Sequence, residues 1–379
     1  MDLSGISLTL MIGPQIPVPA PRPVTEALDK VTVTHADGSP SGFQLELKAD
    51  RTSAFLRDYP LLIDRLLAAG NRVVIVVNVG ARPHVLMDGL IARVELPRRQ
   101  GSGAATLGVT GQEISVEMGR TGVTAEYPGL GHPEIVALVL AKYMSYGVVP
   151  RIIPPSSSLA SDPLEKVPQQ NATDLCYLKY LAGLHGNVFF VQPGPAPLFS
   201  TAYWGPPPRI GAPLPALTVD MGPATNVDTI DFGYDSQAPT LFKGIDQDAE
   251  SEKDVPISTS TSLRIPLARE PALQFSPRLV NTRIVNTPGM TTAAAMAYTQ
   301  GMTDRSTDHV VTASGDVDTL RYGSIMKVAS LIGVRGCGSS LDGLYTINEV
   351  THTLSRGEYR QHFALAREGL MSTIPVVRP

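Results

Sequence analysis

Several stretches of this chain carry residues that could do chemistry, and each departs from the pattern its chemistry needs. Gly333-Val-Arg-Gly-Cys-Gly338 has the glycines of a phosphate cradle. Its spacing fits neither a dinucleotide fingerprint nor a Walker loop, and a strand is predicted after it where a phosphate site needs a helix N-terminus. It reads as a glycine-rich hairpin connection. Asp246, Asp248, Glu250, Glu252 and Asp254 alternate as calcium ligands do. They lack the glycine at the sixth position and the bidentate glutamate at the twelfth, so they read as a solvated loop.

The seven histidines are His35, His84, His132, His185, His309, His352 and His362. None sits in H-E-x-x-H or H-x-x-E-H, so zinc hydrolysis has no support. His352 and His362 could meet across a hairpin near Glu349 and Glu358, but polar residues on the exposed face of an antiparallel sheet account for them. There is no G-x-S-x-G, and spacing alone assigns no carboxylate pair for glycoside cleavage. Cys176 and Cys337 are too few and too far apart for a metal site or disulfide framework, and Cys176 reads as a small core residue of a helix.

Asn171-Ala172-Thr173 matches a glycosylation acceptor, but with no secretory signal it reads as a helix cap. Trp204, the only tryptophan, stands between Tyr203 and Pro206–Pro208. It is either an exposed carbohydrate platform or a buried anchor for an extended segment, and the usual burial of tryptophan favours the anchor. No catalytic, cofactor-binding or metal-binding residue is assigned, and no cofactor is expected.

The elements that would position these residues are mostly strands. From Gly13 to Pro23 the proline-rich segment is extended, a tether or an edge-covering arm. Val31, Val33 and His35 alternate with threonines, and Phe43, Leu45 and Leu47 alternate with polar residues, which predicts two strands. A helix is expected from about Pro60 to Gly70. Arg72–Val79 is a β-branched run that predicts a strand buried on both faces, and Val85–Leu96 continues as strand. Inside it Asp88-Gly89 is either a tight turn or a bulge.

The texture then changes. Helices are predicted at 132–147 and after Thr173 or Asp174, the second with Leu175, Leu178, Leu181 and Leu184 on one face. A polar linker is expected over 150–168 and a short buried strand at 188–191. Strand patterning returns after Leu217, with an alanine-rich helix at 291–298 and strands from Arg321 onward. Asp342-Gly343, with Leu344, Ile347 and Val350 after it, echoes Asp88-Gly89 with Leu90, Ile91 and Val94. This suggests a structural duplication. Asp88, Gly89, Asp342 and Gly343 are therefore named as structural turn candidates, both glycines being expected at positive φ.

Composition sets the class. With 43% hydrophobic and 17% charged residues, the 379-residue chain is globular and long enough for two or three domains. Its 34 glycines and 33 prolines, without a period, indicate many turns, as in β-rich proteins. A net charge of −4 with no basic block gives no reason to expect nucleic acid. No apolar run approaches the ~20 residues of a membrane span, and no secretory signal is recognisable, so cytoplasmic synthesis without direct membrane insertion is expected.

Three stretches carry a resemblance: NATDLCYLKYLAGLHGNVFFVQPG, MDGLIARVE and SLDGLYTINEVTHTLSRGEYRQHFALAREGL. In this order and spacing the chain resembles, from about Asp29 to Pro379, the baseplate hub proteins of contractile phage tails and injection systems. These are also called phage late control D proteins, and they are similar to the hub half of type VI spike proteins. The resemblance implies an α+β, β-rich fold of two tube-like antiparallel β-barrel domains with α/β insertions. The expected division is 1–118, 119–216 and 217–379, the last with an irregular insertion at about 251–310. It further implies a homotrimeric, non-enzymatic adaptor between a trimeric spike and the hexameric inner tube, within a phage-tail-like particle. The partners would be a separate spike protein, the inner tube protein and baseplate wedge components. A cell-wall-degrading tail enzyme, or a carbohydrate-binding tail module centred on Trp204 and Tyr203, is the alternative.

Overall fold

The computed structural model describes residues 2–3, 6–49, 61, 65–80, 82–97, 105–155, 167–247, 254–275, 277–287 and 290–373. The first portion holds β1 (Asp2–Leu3), β2 (Ile6–Gly13), β3 (Val18–Pro19), α1 (Arg22–Ala27), β4 (Leu28–Ala36), β5 (Gly42–Ala49), β6 (Arg72–Val79), β7 (Arg82–Glu95) and β8 (Ala105–Glu113). The middle holds β9 (Gly122–Glu126), α2 (His132–Ala141), β10 (Val148–Ile152), β11 (Gln169–Thr173), α3 (Asp174–Leu184), β12 (Val188–Pro193) and β13 (Ser200–Gly205). The last portion begins with β14 (Leu214–Thr218), β15 (Thr229–Tyr234), β16 (Thr240–Gln247), β17 (Asp254–Ser258), β18 (Ala268–Pro271) and α4 (Ala272–Phe275). It ends with β19 (Asn281–Ile284), α5 (Thr292–Thr307), β20 (Val311–Asp318), α6 (Thr319–Tyr322), β21 (Leu331–Arg335), β22 (Gly343–Ser355), β23 (Glu358–Arg367) and β24 (Gly369–Ser372).

The protein is β-rich and mostly antiparallel. One 14-stranded sheet follows the path β1-β2-β6-β7-β8-β5-β4-β22-β23-β20-β15, with β3 on β2, β21 on β22 and β14 on β21. Alternation explains which way its strands face. Val31 and Val33 on β4, and Phe43, Leu45 and Leu47 on β5, are buried while their polar neighbours are not. β6 is buried on both faces: Val73, Ile75 and Val77 enter the large first cluster, Val74 and Val76 a small second one with Val85. Its continuous β-branched run is what such a position requires.

Strand order repeats within this sheet. The first set lies β6-β7-β8-β5-β4 and the second β21-β22-β23-β20-β15, the same order by rank in sequence. Between β15 and β20 the second set takes an insertion that holds β16 to β19 and α5. Among the described residues no pairing closes either set into a barrel. The two sets join where β4 pairs with β22, and the first core cluster accordingly includes Ile325, Leu354 and Tyr359 from the second set.

The middle portion is built differently. β10, β13 and β12 form a small sheet in which β10 and β13 are parallel, and α2 and α3 cover a core of Ile135, Val139, Leu178, Leu181 and Trp204. Thr173 caps α3 by accepting the Cys176 amide. Cys176 itself is exposed, against the expected core position. The buried face of α3 is Asp174, Tyr177, Leu178, Leu181 and Ala182, one step round from the leucine stripe that the sequence offers.

Other expectations shift in extent. The proline-rich arm is an edge cover, since Val18 and Pro19 pair with Ile12 and Met11, but it ends at the helix α1. Residues 150–152 of the expected linker belong to β10, whose partner β13 supplies their hydrogen bonds. Of the expected 60–70 helix, residues 60 and 62–64 lie outside the described residues, and 65–70 form turns instead of helix, ending at Gly70 with φ +91°. The alanine-rich helix runs on from Thr292 to Thr307 because Thr299, Thr303 and Thr307 are buried, extending its packed face beyond the apolar residues.

Candidate functional site

The candidate site is the seam between the two strand sets, together with the residues that fix their register. The sets match at their irregularities. β7 pairs with β8 as Ile91↔Gly111 and then Arg93↔Thr110, so Ala92 is an extra, bulged residue. β22 pairs with β23 as Ile347↔Leu365 and then Glu349↔Ala364, so Asn348 is the extra one. On the opposite edge Gly70 and Asn71 exchange backbone hydrogen bonds with Ile91, as Ala329 and Ser330 do with Ile347. Gly70 and Ala329 both take positive φ, 91° and 61°. The duplication suggested by the sequence is therefore present in strand order and local geometry.

That register separates the two Asp-Gly pairs. Gly89 lies two residues before Ile91 and Gly343 four before Ile347, so they are not equivalent positions. Asp88-Gly89 is neither a turn nor a bulge: both residues sit within β7, directly opposite Val74 and Val73. Gly89 is not at positive φ, contrary to expectation, but a Cβ there would stand 2.2 Å from the Gln112 carbonyl oxygen. Close approach of β8 is what requires a glycine. Gly343 does have positive φ, +133°, and its missing side chain leaves room for the Arg367 guanidinium.

Each Asp-Gly pair keeps company with a buried arginine. Arg72 Nε and Nη2 donate to the two Asp88 carboxylate oxygens at 2.7 and 2.6 Å. Burial pushes the Asp88 carboxyl above its usual range while the Arg72 charge draws it back. Arg72 Nη2 also donates to the Tyr146 and Leu198 carbonyls, tying the first set to the middle portion. Arg367, with no exposure, donates to the Asp342 and Ser340 carbonyls and stacks 4.3 Å over the Tyr345 ring. The Asp342 carboxylate accepts the Cys337 amide. Sequence reasoning missed both arginines, although Arg72 is the lone charge at the start of the apolar run that forms β6.

At the seam, β22 runs antiparallel to β4 from Glu349↔Ala36 to Ser355↔Lys30. Thr34 and Thr351 share a hydroxyl–hydroxyl bond of 3.0 Å. On the same strands His35 Nε2 lies 2.6 Å from the Leu86 carbonyl, and His352 Nδ1 lies 3.0 Å from the Tyr359 hydroxyl. His352 is 1% exposed, which corrects the exposed-face reading: it and His362 point to opposite faces of the hairpin. His362 is on the outside beside Asp316. Burial lowers His35 to about 4 and His352 to about 3, so both rings are neutral at pH 7.

The reactive stretches come out as structure. Gly333–Gly338 belongs to β21 and its connection to β22, and no helix follows it. Asp246 lies within β16 and is buried, against the solvated-loop reading, and Asp254 opens β17; Asp248, Glu250 and Glu252 lie outside the described residues. His132 and His185 meet at 2.7 Å, a pair spacing could not foresee. Among the described residues no group of three or more His, Cys, Asp or Glu could hold a metal ion, and no helix is long and apolar enough to cross a membrane. Trp204 has no exposure and Tyr203 only 4%, so neither presents a ring to a sugar. The Trp204 indole N–H donates to the Leu178 carbonyl.

This arrangement can hold strands in register and offer edges. The fold is shared with phage tail proteins and a component of a type VI secretion system. No family model matches the sequence and no curated protein matches it. A tail protein from Neisseria meningitidis MC58 superposes with a TM-score of 0.66 at 12% identity, covering 97% of this chain and 98% of that one. The 43 kDa tail protein of prophage MuSo2 from Shewanella oneidensis gives 0.66 at 13% identity, covering 96% and 98%. A component of the type VI secretion system of E. coli gives 0.56 at 12% identity, covering 93% and 77%. That protein is described as structurally similar to the T4 bacteriophage tail proteins gp27 and gp5.

Proposed function

We propose that this protein is a structural baseplate hub of a contractile tail or injection system, a homotrimeric adaptor between a trimeric spike and the hexameric inner tube. One observation carries the reading: the chain presents the same five-strand order twice and splices the copies side by side through β4 and β22. Three such chains place six similar units around an axis, so one ring can meet three-fold symmetry below and six-fold symmetry above. Each unit would complete a tube-like barrel in that setting. The full-length likeness to tail proteins and to a type VI component supports the same reading.

The role is one of shape and edge pairing, and needs no catalytic residue. Partners follow from position: the spike, the inner tube protein and the baseplate wedges, inside a tail-like particle assembled in the cytoplasm. The test is co-purification with a trimeric spike protein, alongside a peptidoglycan-release assay on the same sample. Stable co-elution in equal copy number without release supports the hub. A chain that ignores spike and tube proteins yet solubilises peptidoglycan overturns it in favour of a tail enzyme.

A further inference from the structure

The internal seam specifies a second one. β22 carries two strands along one edge: β21 on Gly343–Thr346 and β4 on Glu349–Ser355. Its counterpart β7 is paired along the corresponding edge by β6 as far as Leu90, and Ile91 is bonded there by Gly70 and Asn71. Beyond Ile91 no strand follows on that edge among the described residues. Ala92, Arg93 and Glu95 are exposed and Val94 is half-buried, whereas Val350, the counterpart of Val94, is fully buried beneath the seam. At the far end of the sheet path β15, the counterpart of β4, pairs with β20 on one edge only. Its Tyr234 is 47% exposed.

We propose that β15 of one copy of this chain pairs antiparallel with the end of β7 in a second copy, in the register that β4 keeps on β22. Matching bulges and ladders aligns Arg93–Leu96 with Glu349–His352, and Thr229–Asp235 with Lys30–Ala36. Arg93 then stands opposite Asp235, Val94 opposite Tyr234, Glu95 opposite Gly233 and Leu96 opposite Phe232. The pairing is complementary on both faces. Val94 and Leu96 meet Tyr234 and Phe232 on one, and the Arg93 cation meets the Asp235 carboxylate on the other. Within the chain Arg93 is ion-paired with Glu95 on its own strand, both well exposed.

A second copy is the occupant because both edges are on this chain and the internal seam already demonstrates their fit. The contact is head-to-tail, so it must close into a ring or run on as a filament. It also removes two open sheet edges. Closure at three copies rests on the hub reading; the strand register does not.

The test uses chains carrying Cys176→Ser and Cys337→Ser, to which either Val94→Cys or Tyr234→Cys is added. The two single variants are mixed, assembled with a trimeric spike protein, and treated with a short bismaleimide. Residues directly opposite on antiparallel strands have Cβ atoms about 5 Å apart, within its reach. Covalent dimers are expected from the mixture and not from either variant alone, and the doubly substituted chain gives a ladder ending at a closed trimer. Asp231→Cys in place of Tyr234→Cys, three residues out of register, drops the yield at least tenfold. Trimeric assembly without Val94–Tyr234 crosslinking overturns the strand pairing and leaves the hub intact. A chain that stays monomeric with spike present, and does not crosslink, overturns both.

Discussion

Ile91 and Ile347 hold the same place in the two halves of the molecule. Each exchanges two backbone bonds with the residues leading into the strand before it, Gly70 and Asn71 or Ala329 and Ser330. Each is followed by one bulged residue, Ala92 or Asn348. Shared irregularity is stronger evidence of a repeat than shared regular strands, because a bulge fixes both the twist and the register of the pair.

Gly89 is predicted to tolerate no side chain. The 2.2 Å from a Cβ to the Gln112 oxygen forces backbone movement between β7 and β8. Gly89→Ala should cost at least about 3 kcal/mol, and Gly89→Val should abolish soluble expression. Gly38 and Gly357, at positive φ with nothing within 4 Å, should lose only about 1 kcal/mol on change to alanine. Chemical denaturation of the three alanine variants checks the order, and the soluble yield of Gly89→Val checks the rest. A Gly89→Ala protein as stable as Gly38→Ala would contradict it.

The Arg72–Asp88 pair should act as a single unit. Its side chains are 7% and 0% exposed, so removing one partner strands a buried charge. Arg72→Met or Asp88→Leu alone should each cost about 3–5 kcal/mol. An Arg72→Met, Asp88→Leu double variant should recover much of that loss, as apolar replacements of buried pairs often do. Melting curves of all three, read as a double-mutant cycle, measure the coupling. Additive losses would contradict it.

How much of this was legible beforehand divides by physical cause. Periodicity exposed β4, β5 and β6, since a period of two or an unbroken β-branched run reports burial directly. The repeat was visible as an echo, but Asp-Gly marked the wrong positions; the matching ones are Ile91 and Ile347, which only pairing reveals. The roles of Arg72, Arg367 and His352 could not be read, because a charged or titratable residue in a strand declares neither its face nor its partner. The capping threonine of α3 was legible, yet the burial of Asp174 was not. It is held by Lys142, Tyr143 and Gln170, which come from other elements.

Acid should weaken the seam through its histidines. His35 and His352 have folded pKa values of about 4 and about 3, below the unfolded value of 6.5. The unfolded chain therefore binds more protons below pH 6.5, and stability present above that pH is lost as pH falls toward 4. For His352 the loss at pH 4 is about 3 kcal/mol. Glu113 works in the opposite sense, since burial raises its carboxyl to about 7 and costs stability as pH rises from 4.5. The readout is consequently the difference in urea stability between the wild type and His352→Gln, followed from pH 7.5 to pH 4.5. That difference should shrink as pH falls; a constant difference would contradict the assignment.

Trp204 should report an anchor. With no exposure and a bond to the Leu178 carbonyl, its emission should be short-wavelength, resist acrylamide quenching and ignore added sugars. Trp204→Ala should cost about 3–5 kcal/mol. Quenching that responds to a glycan would return the residue to a binding role.

The central claim is that two spliced repeats per chain make a ring of six units from three chains. Electron microscopy of the complex with spike, combined with its mass in native mass spectrometry, tests this most directly. The account predicts three copies of this chain with three of spike, and an upper face that is pseudo-six-fold. An assembly with any other copy number, or an upper face with only three-fold repetition, would contradict it.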